Sequence, residues 1–169
     1  MPVVSYAYVS DVPPIVAVSC VKGGYTANLA LKAGSFSLCV LDRARARSVA
    51  LLGSTSGSLT KDKLADAGLK HRRGAELDVP VIVGSVAILE CSLRSKEEVG
   101  DHLLLFGEVE SATATAAFAG FWDFSKYKPL LYAGWREGLT TYPGPRRRTS
   151  GPRRRTSSGP GLSQRPSGG

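Results

Sequence analysis

The sequence predicts a mainly β protein, a small barrel closed against short helices. Two long apolar-rich runs, Val86–Leu93 and Leu103–Val109, flank a charged connection that closes on Gly100, Asp101 and His102. Part of the first run alternates apolar and polar residues, as a half-buried strand does, and the second is continuously apolar, as in a strand buried on both faces. We therefore expect a long antiparallel hairpin to form the centre of a barrel.

Shorter apolar runs with the length of strands surround this hairpin. They are Val3–Val9, Ile15–Cys20, Phe36–Leu41, Val79–Val83 and Leu130–Tyr132. Asp11–Pro14 predicts a turn between the first two runs, because each proline fixes φ and disfavours helix at the residue before it. Pro80 favours an edge position or a strand start for the fourth run.

Helix formers and glycine stops predict short helices between the strands. We expect Ala27–Lys32 with Thr26 as N-cap and Gly34 as stop, then Arg43–Leu52, then Thr60–Ala67 with Thr60 as N-cap and Gly68 as stop. Gly53–Leu59 and His71–Gly74 are predicted to be loops. Ser111–Ala119 fits either the end of a strand or a helix, and Phe121–Tyr127 is predicted to pack through its aromatic side chains.

Composition predicts a cytoplasmic globular protein. The chain of 169 residues is 43% hydrophobic, has no apolar run of about 20 residues, and has no convincing signal peptide at its start. Cys20, Cys39 and Cys91 are far apart in apolar runs. We expect reduced, buried thiols and no metal site.

The charge of the chain is concentrated at its C-terminus. Residues 144–169 hold seven arginines and no acid, so subtracting them from the net charge of +8 leaves +1 for residues 1–143. The sequence G-P-R-R-R-T-S occurs twice in tandem, at Gly144–Ser150 and Gly151–Ser157. Such a composition cannot bury a core, so we expect a domain over residues 1–142 and a disordered tail over residues 143–169. The tail either binds nucleic acid or has no specific partner.

Several segments, taken together and in order, carry a family resemblance. They are Asp11–Ser19, Tyr25–Thr26, Ala33–Val40, Ser56–Gly57, Asp62–Leu64, Gly68–Leu69, Val79–Cys91, Gly100–Val109 and Lys128–Gly134. Their order and spacing resemble the flavin reductase-like family, the FMN-binding split barrels that include flavoredoxins. The resemblance implies a split β-barrel, bound FMN and a homodimer. Because Met1 falls about where family members have an internal methionine, we expect the first barrel strand or strands to be missing.

The resemblance also implies a set of flavin-binding residues. They are Ser10, Ser19, Lys22, Gly23, Gly24, Thr26, Ser54, Ser56, Lys63 and His102. A glycine-bearing loop before a helix offers free N–H groups to a phosphate, with Lys22 as a point charge, although the same pattern suits an ordinary strand-to-helix junction. Relatives often carry a basic residue where Gly24 stands. The Ser54–Lys63 region could equally be a solvated polar loop.

No catalytic residue is assigned, since bound flavin would carry the chemistry. His102 is a candidate contact for flavin or nicotinamide, or a satisfied histidine at a turn, while Glu90 and Cys91 are expected to be structural. The resemblance implies hydride transfer from NAD(P)H to FMN, and without a G-x-G-x-x-G sequence no Rossmann site is expected. Two alternatives stay open: an electron carrier without nicotinamide activity, and a non-enzymatic remnant whose basic tail binds nucleic acid.

Overall fold

The apolar runs of the sequence form strands in the computed structural model, which describes residues 1–3, 5–116, 123, 125–132 and 139–140. In this part of the chain the strands are β1 (Tyr6–Asp11), β2 (Pro14–Val21), β3 (Ser35–Val40), β4 (His71–Arg73), β5 (Pro80–Ile82), β6 (Ala87–Val99), β7 (His102–Ala114), β8 (Leu131–Tyr132) and β9 (Leu139–Thr140). The helices are α1 (Tyr25–Ala33), α2 (Ala46–Ser54) and α3 (Lys63–Asp66), with 3-10 turns at Arg43–Arg45 and Gly57–Leu59. The mainly β prediction is confirmed. None of the helices in these ranges has the length and apolar character needed to cross a membrane.

The predicted hairpin is the centre of a five-stranded antiparallel sheet with the order β1-β2-β7-β6-β3. The strand β6 is longer than its apolar run because pairing continues through the exposed polar residues near the tip. The strand β7 extends at the opposite end, where Ser111–Ala114 pair with Ala87–Glu90. Gly100, at φ 59°, lies in the turn and takes the left-handed conformation that glycine tolerates best. Two register shifts, at Glu90/Cys91 and Leu93/Ser95, mark bulges of the kind that bend and twist a strand.

The main core lies between this sheet and α1. Val18, Cys20, Leu103 and Leu105 point to one face and pack with Ala27 and Ala30 of the helix. Gly34 stops α1 as predicted, with φ 66° and its N–H donating to the Ala30 carbonyl over 2.9 Å. The Thr26 cap prediction is wrong, because the helix begins at Tyr25 and Gly24 is the N-cap.

A close approach within the core depends on one glycine. A Cβ at Gly107 would lie 2.5 Å from Cζ of Phe36 and 2.9 Å from Cβ of Cys91. The Phe36 ring therefore occupies the space that any other side chain at position 107 would need.

The β4–β5 hairpin covers part of the opposite face of the sheet. Val79 and Val81 pack on Ile88, the Ser37 hydroxyl donates to the Pro80 carbonyl over 2.7 Å, and the Ile82 N–H donates to the Cys39 sulfur over 3.4 Å. The prediction of a loop at His71–Gly74 is wrong, since His71–Arg73 pairs with β5. Its three basic side chains carry no apolar pattern that would indicate a strand.

Between β3 and β4, the helix α2 extends further than predicted and the helix α3 is shorter than predicted. The helix α2 continues to Ser54, into the predicted Gly53–Leu59 loop, and is preceded by the 3-10 turn that the Asp42 side chain caps. The helix α3 starts only at Lys63. Its N-cap is Asp62, whose carboxylate accepts the N–H groups of the next turn over 3.1 and 3.0 Å, so the Thr60 cap prediction is wrong.

The segment after β7 returns to the start of the α2 region. Tyr127 is buried, and the Asp42 carboxylate accepts the Lys128 N–H over 2.8 Å. The strand predicted around Leu130–Tyr132 is present as β8. Of the two alternatives for Ser111–Ala119, the end of a strand agrees with the structure over Ser111–Ala114, which continue β7. The predictions for residues 117–119, for the aromatic residues at 121, 122 and 124, and for the tail lie outside the described residues.

Candidate flavin-binding site

The loop between β2 and α1 is tight because two glycines allow it. Gly23 has φ 74°, and the Gly24 N–H donates to the Val21 carbonyl over 3.0 Å. A Cβ at Gly24 would lie 2.9 Å from that same carbonyl oxygen. Any larger residue at position 24 would need the loop to shift.

The loop leads directly into the first turn of α1. The Asn28 N–H is the first intrahelical donor and donates to the Gly24 carbonyl, so the N–H groups of Tyr25, Thr26 and Ala27 have no i−4 acceptor within the helix. The N-cap, Gly24, has no side chain to cap these groups, and the first turn has no acidic residue. Free N–H donors at the positive end of a helix suit an anion of phosphate size, so this donor set fits the phosphate of a flavin nucleotide.

Lys22 lies beside the loop but is already paired. Its Nζ lies 2.5 Å from Oε2 of Glu98 near the hairpin tip, and its N–H donates to the Asp101 carbonyl over 3.0 Å. The Lys22 hydrogen bond and charge lower the pKa of the Glu98 carboxyl. Sequence reasoning missed Glu98, because the contact joins residues 76 positions apart and depends on the pairing of β2 with β7.

His102 lies at the same end of the sheet, paired with Val21 of β2. Its Nδ1 is 2.7 Å from Oδ1 of Asp101, and this bond, followed by the histidine charge, lowers the pKa of the Asp101 carboxyl. Because Asp101 is in the turn and not in the strand, the two neighbouring side chains can meet. The structure therefore places His102 next to the β2–α1 loop, with its ring partly exposed.

The segment between α2 and α3 packs against the start of α1. A Cβ at Gly57 would lie 2.9 Å from the Tyr25 ring and 3.8 Å from Cδ of Lys63, so these side chains enclose the glycine. The Ser56 hydroxyl lies 2.8 Å from that of Ser58, and the Ser54 hydroxyl donates to the Leu51 carbonyl over 3.1 Å. Both predicted serines thus have protein partners nearby.

Lys63 lines a small cavity of about 100 Å³ between α2 and α3. This volume is too small for an isoalloxazine ring. The site that the chain presents is therefore an open surface around the start of α1.

Three predicted residues are placed differently from those of the β2–α1 loop. Ser19 faces away from α1, because its neighbour Cys20 is buried against the helix and alternate strand residues point to opposite faces. His102 pairs with Val21 and lies on the same face as Ser19, although it is at the loop end of the sheet. Ser10 pairs with Ile15, at the other end of β2 from the loop, so the structure does not bring it to the site.

Glu90 is a buried carboxylate, with 2% of its surface exposed. It accepts the N–H groups of Ala75, Glu76 and Leu77 over 2.7, 3.0 and 2.9 Å. The Leu77 bond is the largest cause that lowers the pKa of its carboxyl. Glu90 therefore holds the turn between β4 and β5, and the expectation of a structural role agrees with these contacts.

The cysteines have the environment of structural thiols. Burial, followed by the charges of Glu110 and Glu90, raises the pKa of Cys91 to about 12. Burial also raises the pKa of Cys20, and the three cysteines are all free. A thiol with so high a pKa is a poor nucleophile at neutral pH.

Comparison with known proteins adds sequence and structural relatives. The chain is 31% identical over 128 residues to a reductase subunit of a flavin-dependent monooxygenase, HsaB, of Mycobacterium tuberculosis, covering 76% of this chain and 61% of that protein. An FMN-binding protein of Thermus thermophilus superposes with a TM-score of 0.68 at 30% identity, covering 79% of this chain and 72% of its own. Flavoredoxin of Desulfovibrio vulgaris superposes with a TM-score of 0.71 at 25% identity, covering 82% of this chain and 75% of the flavoredoxin chain.

The chain spans only part of its curated relatives, 51% of an uncharacterised protein of Aeropyrum pernix and 61% of the reductase subunit. The family model described as "Flavin reductase like domain" matches residues 1–136. The predicted split-barrel fold is confirmed by the flavoredoxin likeness. The chain therefore belongs to the flavin reductase-like domain family.

Proposed function

We propose that this chain binds FMN and catalyses its reduction by NAD(P)H. The observation that carries the proposal is the uncapped N-terminus of α1 behind a tight glycine loop, in a chain of the flavin reductase-like family. His102 and Lys22 lie at the same end of the sheet and add polar and charged groups. The printed names of the relatives, an FMN-binding protein and a reductase subunit, support the same chemistry.

The residues of the chain would bind and orient the substrates, while bound FMN supplies the hydride-accepting group. The N–H groups of Tyr25–Ala27 and the Thr26 hydroxyl would hold the phosphate. Lys22 would add a charge once it leaves Glu98. His102, held by Asp101, would donate or accept one hydrogen bond beside the flavin or the incoming nicotinamide.

The test is oxidation of NADH and NADPH by the purified chain with and without added FMN, followed at 340 nm. We expect oxidation that requires both protein and FMN. Lys22→Gln should raise the FMN concentration needed for half-maximal rate severalfold, because it removes a charge beside the phosphate. The matched control is Lys32→Gln at the far end of α1, which should leave the FMN concentration for half-maximal rate unchanged. A chain that shows no FMN-dependent oxidation contradicts the proposal.

A second candidate is an electron carrier that binds flavin but has no nicotinamide activity of its own. The likeness to flavoredoxin favours it. In this case bound FMN would be reduced by a ferredoxin-type donor, and its absorbance at 450 nm would fall, while NADH and NADPH would leave the spectrum unchanged.

We also propose a homodimer in the cytoplasm. Tyr6, Tyr8 and Val9 on the edge strand β1 are each about half exposed, which is unusual for side chains of this type unless a partner covers them. Free thiols suit a reducing compartment; Cys20 and Cys91 are buried and Cys39 is half-buried, so the expectation that all three are buried holds for two of them. Light scattering coupled to size-exclusion chromatography should give twice the chain mass of 17.9 kDa, and the monomer mass would reject the dimer.

A further inference from the structure

Three arginines lie close together at the start of α2. Arg43 and Arg45 are the two ends of the 3-10 turn before this helix, and Arg47 lies in the first turn of the helix itself. All three residues are exposed. We call Arg43, Arg45 and Arg47 the α2 arginine cluster, and the proposed FMN site does not use it.

The positive charge of this cluster is not balanced by neighbouring acids. Within the described ranges, no carboxylate lies at ion-pair distance from any of the three guanidinium groups. The adjacent acid, Asp42, uses its two carboxylate oxygens to accept the Ala44 and Lys128 N–H groups over 2.9 and 2.8 Å. The cluster therefore presents positive charge to the solvent.

The cluster is also unfavourable for the helix that carries it. Positive side chains at the N-terminus of a helix oppose its macrodipole, and like charges four residues apart, such as those of Arg43 and Arg47, repel each other. The first turn of α2 has no acidic residue, and its N-cap, Arg45, makes no side-chain capping hydrogen bond. An arrangement that costs stability in this way is typical of a surface that binds an external partner.

A fourth cationic residue lies beside the cluster. A Cβ at Gly84, in the turn after β5, would lie 3.6 Å from Nη2 of Arg45. The preceding residue, Val83, donates its N–H to the Lys70 carbonyl over 2.9 Å, and Lys70 is exposed. The basic surface thus extends from the start of α2 toward the β4–β5 hairpin.

The fold anchors the arginine-rich C-terminal sequence near this surface. Pro129 forms a β-bridge with Asp42, directly before the cluster, and Leu131 pairs with Thr140 of β9. Arg146, the first arginine of the tandem repeat, follows Thr140 by six residues, which span at most about 21 Å. The seven arginines of residues 144–169 are therefore tethered close to the α2 arginine cluster.

The chemistry of these residues favours nucleic acid over a protein as the partner. Arginine, serine and threonine side chains bind the phosphates of nucleic acids, and the repeat G-P-R-R-R-T-S supplies all three. Protein interfaces depend instead on buried aromatic and apolar anchors. Residues 144–169 contain no aromatic residue, and Leu162 is their one large apolar residue.

We propose that the α2 arginine cluster and the arginines of residues 144–169 together bind the phosphate backbone of nucleic acid. The binding is independent of base sequence, because phosphate contacts carry no information about the bases. It is a second activity, separate from the proposed flavin reduction, since no residue of the cluster belongs to the FMN site.

The test is fluorescence anisotropy of a labelled DNA duplex of about 20 base pairs and arbitrary sequence, titrated with the full chain between about 50 and 200 mM KCl. We expect affinity that falls steeply with salt, since each neutralised phosphate adds about 0.9 to the slope of log affinity against log salt concentration. The triple variant Arg43→Gln/Arg45→Gln/Arg47→Gln should lower that slope by about 2–3 and weaken binding at least about tenfold. Thermal unfolding should show it at least as stable as wild type, because the variant removes repulsion at the helix start.

The matched control removes the same number of positive charges elsewhere. Lys32→Gln/Arg94→Gln/Lys96→Gln changes exposed residues on α1 and β6, and its affinity should stay within about threefold of wild type. In the full chain, Arg146→Gln/Arg147→Gln/Arg148→Gln should lower the affinity and the salt slope as the cluster variant does.

Four results would overturn the proposal. The first is a lack of DNA binding at micromolar protein in low salt, and the second is an equal loss in the cluster and control variants, which would show that only net charge matters. The third is a loss in the Arg146–Arg148 variant alone, because the folded surface would then take no part. The fourth is equally tight binding, with the same dependence on the cluster, of polyglutamate or of vesicles containing phosphatidylserine, which would assign the surface to an acidic protein or a membrane.

Discussion

At the scale of single residues, Glu90 connects the sheet to the β4–β5 turn. Its buried carboxylate accepts three backbone N–H groups, a number that neutral side chains cannot match. Glu90→Gln should lower the free energy of unfolding by about 2–3 kcal/mol, because an amide keeps one acceptor oxygen and turns a donor toward other donors. Urea unfolding measures the loss, with exposed Glu76→Gln as the control.

The pH dependence of that loss has a defined sign. Because the folded-state pKa of Glu90 lies below its usual value of 4.5, its contribution is complete above that value and is lost as the pH falls through the folded pKa. The stability difference between wild type and Glu90→Gln should therefore be constant at neutral pH and shrink in acid. A difference that grows in acid would show that Glu90 folds in its protonated form.

Gly107 is a second residue with a specific packing role. Gly107→Ala should destabilise the fold by about 1–3 kcal/mol, the usual cost of overpacking, since the new methyl group would overlap the Phe36 ring. Combining it with Phe36→Leu should recover part of the loss, which a double-mutant cycle in urea would measure. If the two losses simply add, the ring and the glycine are not coupled in this way.

At the scale of elements, the hairpin tip pairs with the lysine beside the β2–α1 loop. Glu98 holds Lys22, so Glu98→Gln should release the lysine and tighten FMN binding by up to about fivefold at low salt, the small effect typical of an exposed pair. Flavin fluorescence titration measures the affinity. Glu97→Gln, the neighbouring exposed carboxylate, is the control. Weaker FMN binding in Glu98→Gln would mean that the ion pair orders the loop for the ligand.

The elements also show what sequence could and could not predict. Apolar periodicity identified the β2, β3 and β7 cores and the stop of α1 at Gly34, because burial and left-handed glycine leave a local signature. It missed β4, whose three basic residues pair through backbone alone, and it placed the caps of α1 and α3 at Thr26 and Thr60. The caps depend on where the chain turns, and in each case the N-cap is a residue two positions away, Gly24 and Asp62.

At the scale of the whole molecule, segment order predicted the family, and the match over residues 1–136 confirms it. The candidate site was predicted less completely. Lys22, Gly23, Gly24, Thr26 and His102 do lie at one end of the sheet, whereas Ser10 lies at the other. The role of Glu98 could not be predicted, because it depends on which strands become neighbours and not on any local pattern.

The central claim is that the start of α1 holds the phosphate of FMN. The most direct measurement compares the affinities of the chain for FMN and for riboflavin, which lacks the phosphate, by fluorescence titration at two salt concentrations. The account predicts that FMN binds at least about tenfold more tightly than riboflavin. The difference between the two affinities should decrease at high salt, because salt screens charge-assisted bonds. Equal affinity for the two flavins at low salt would contradict it.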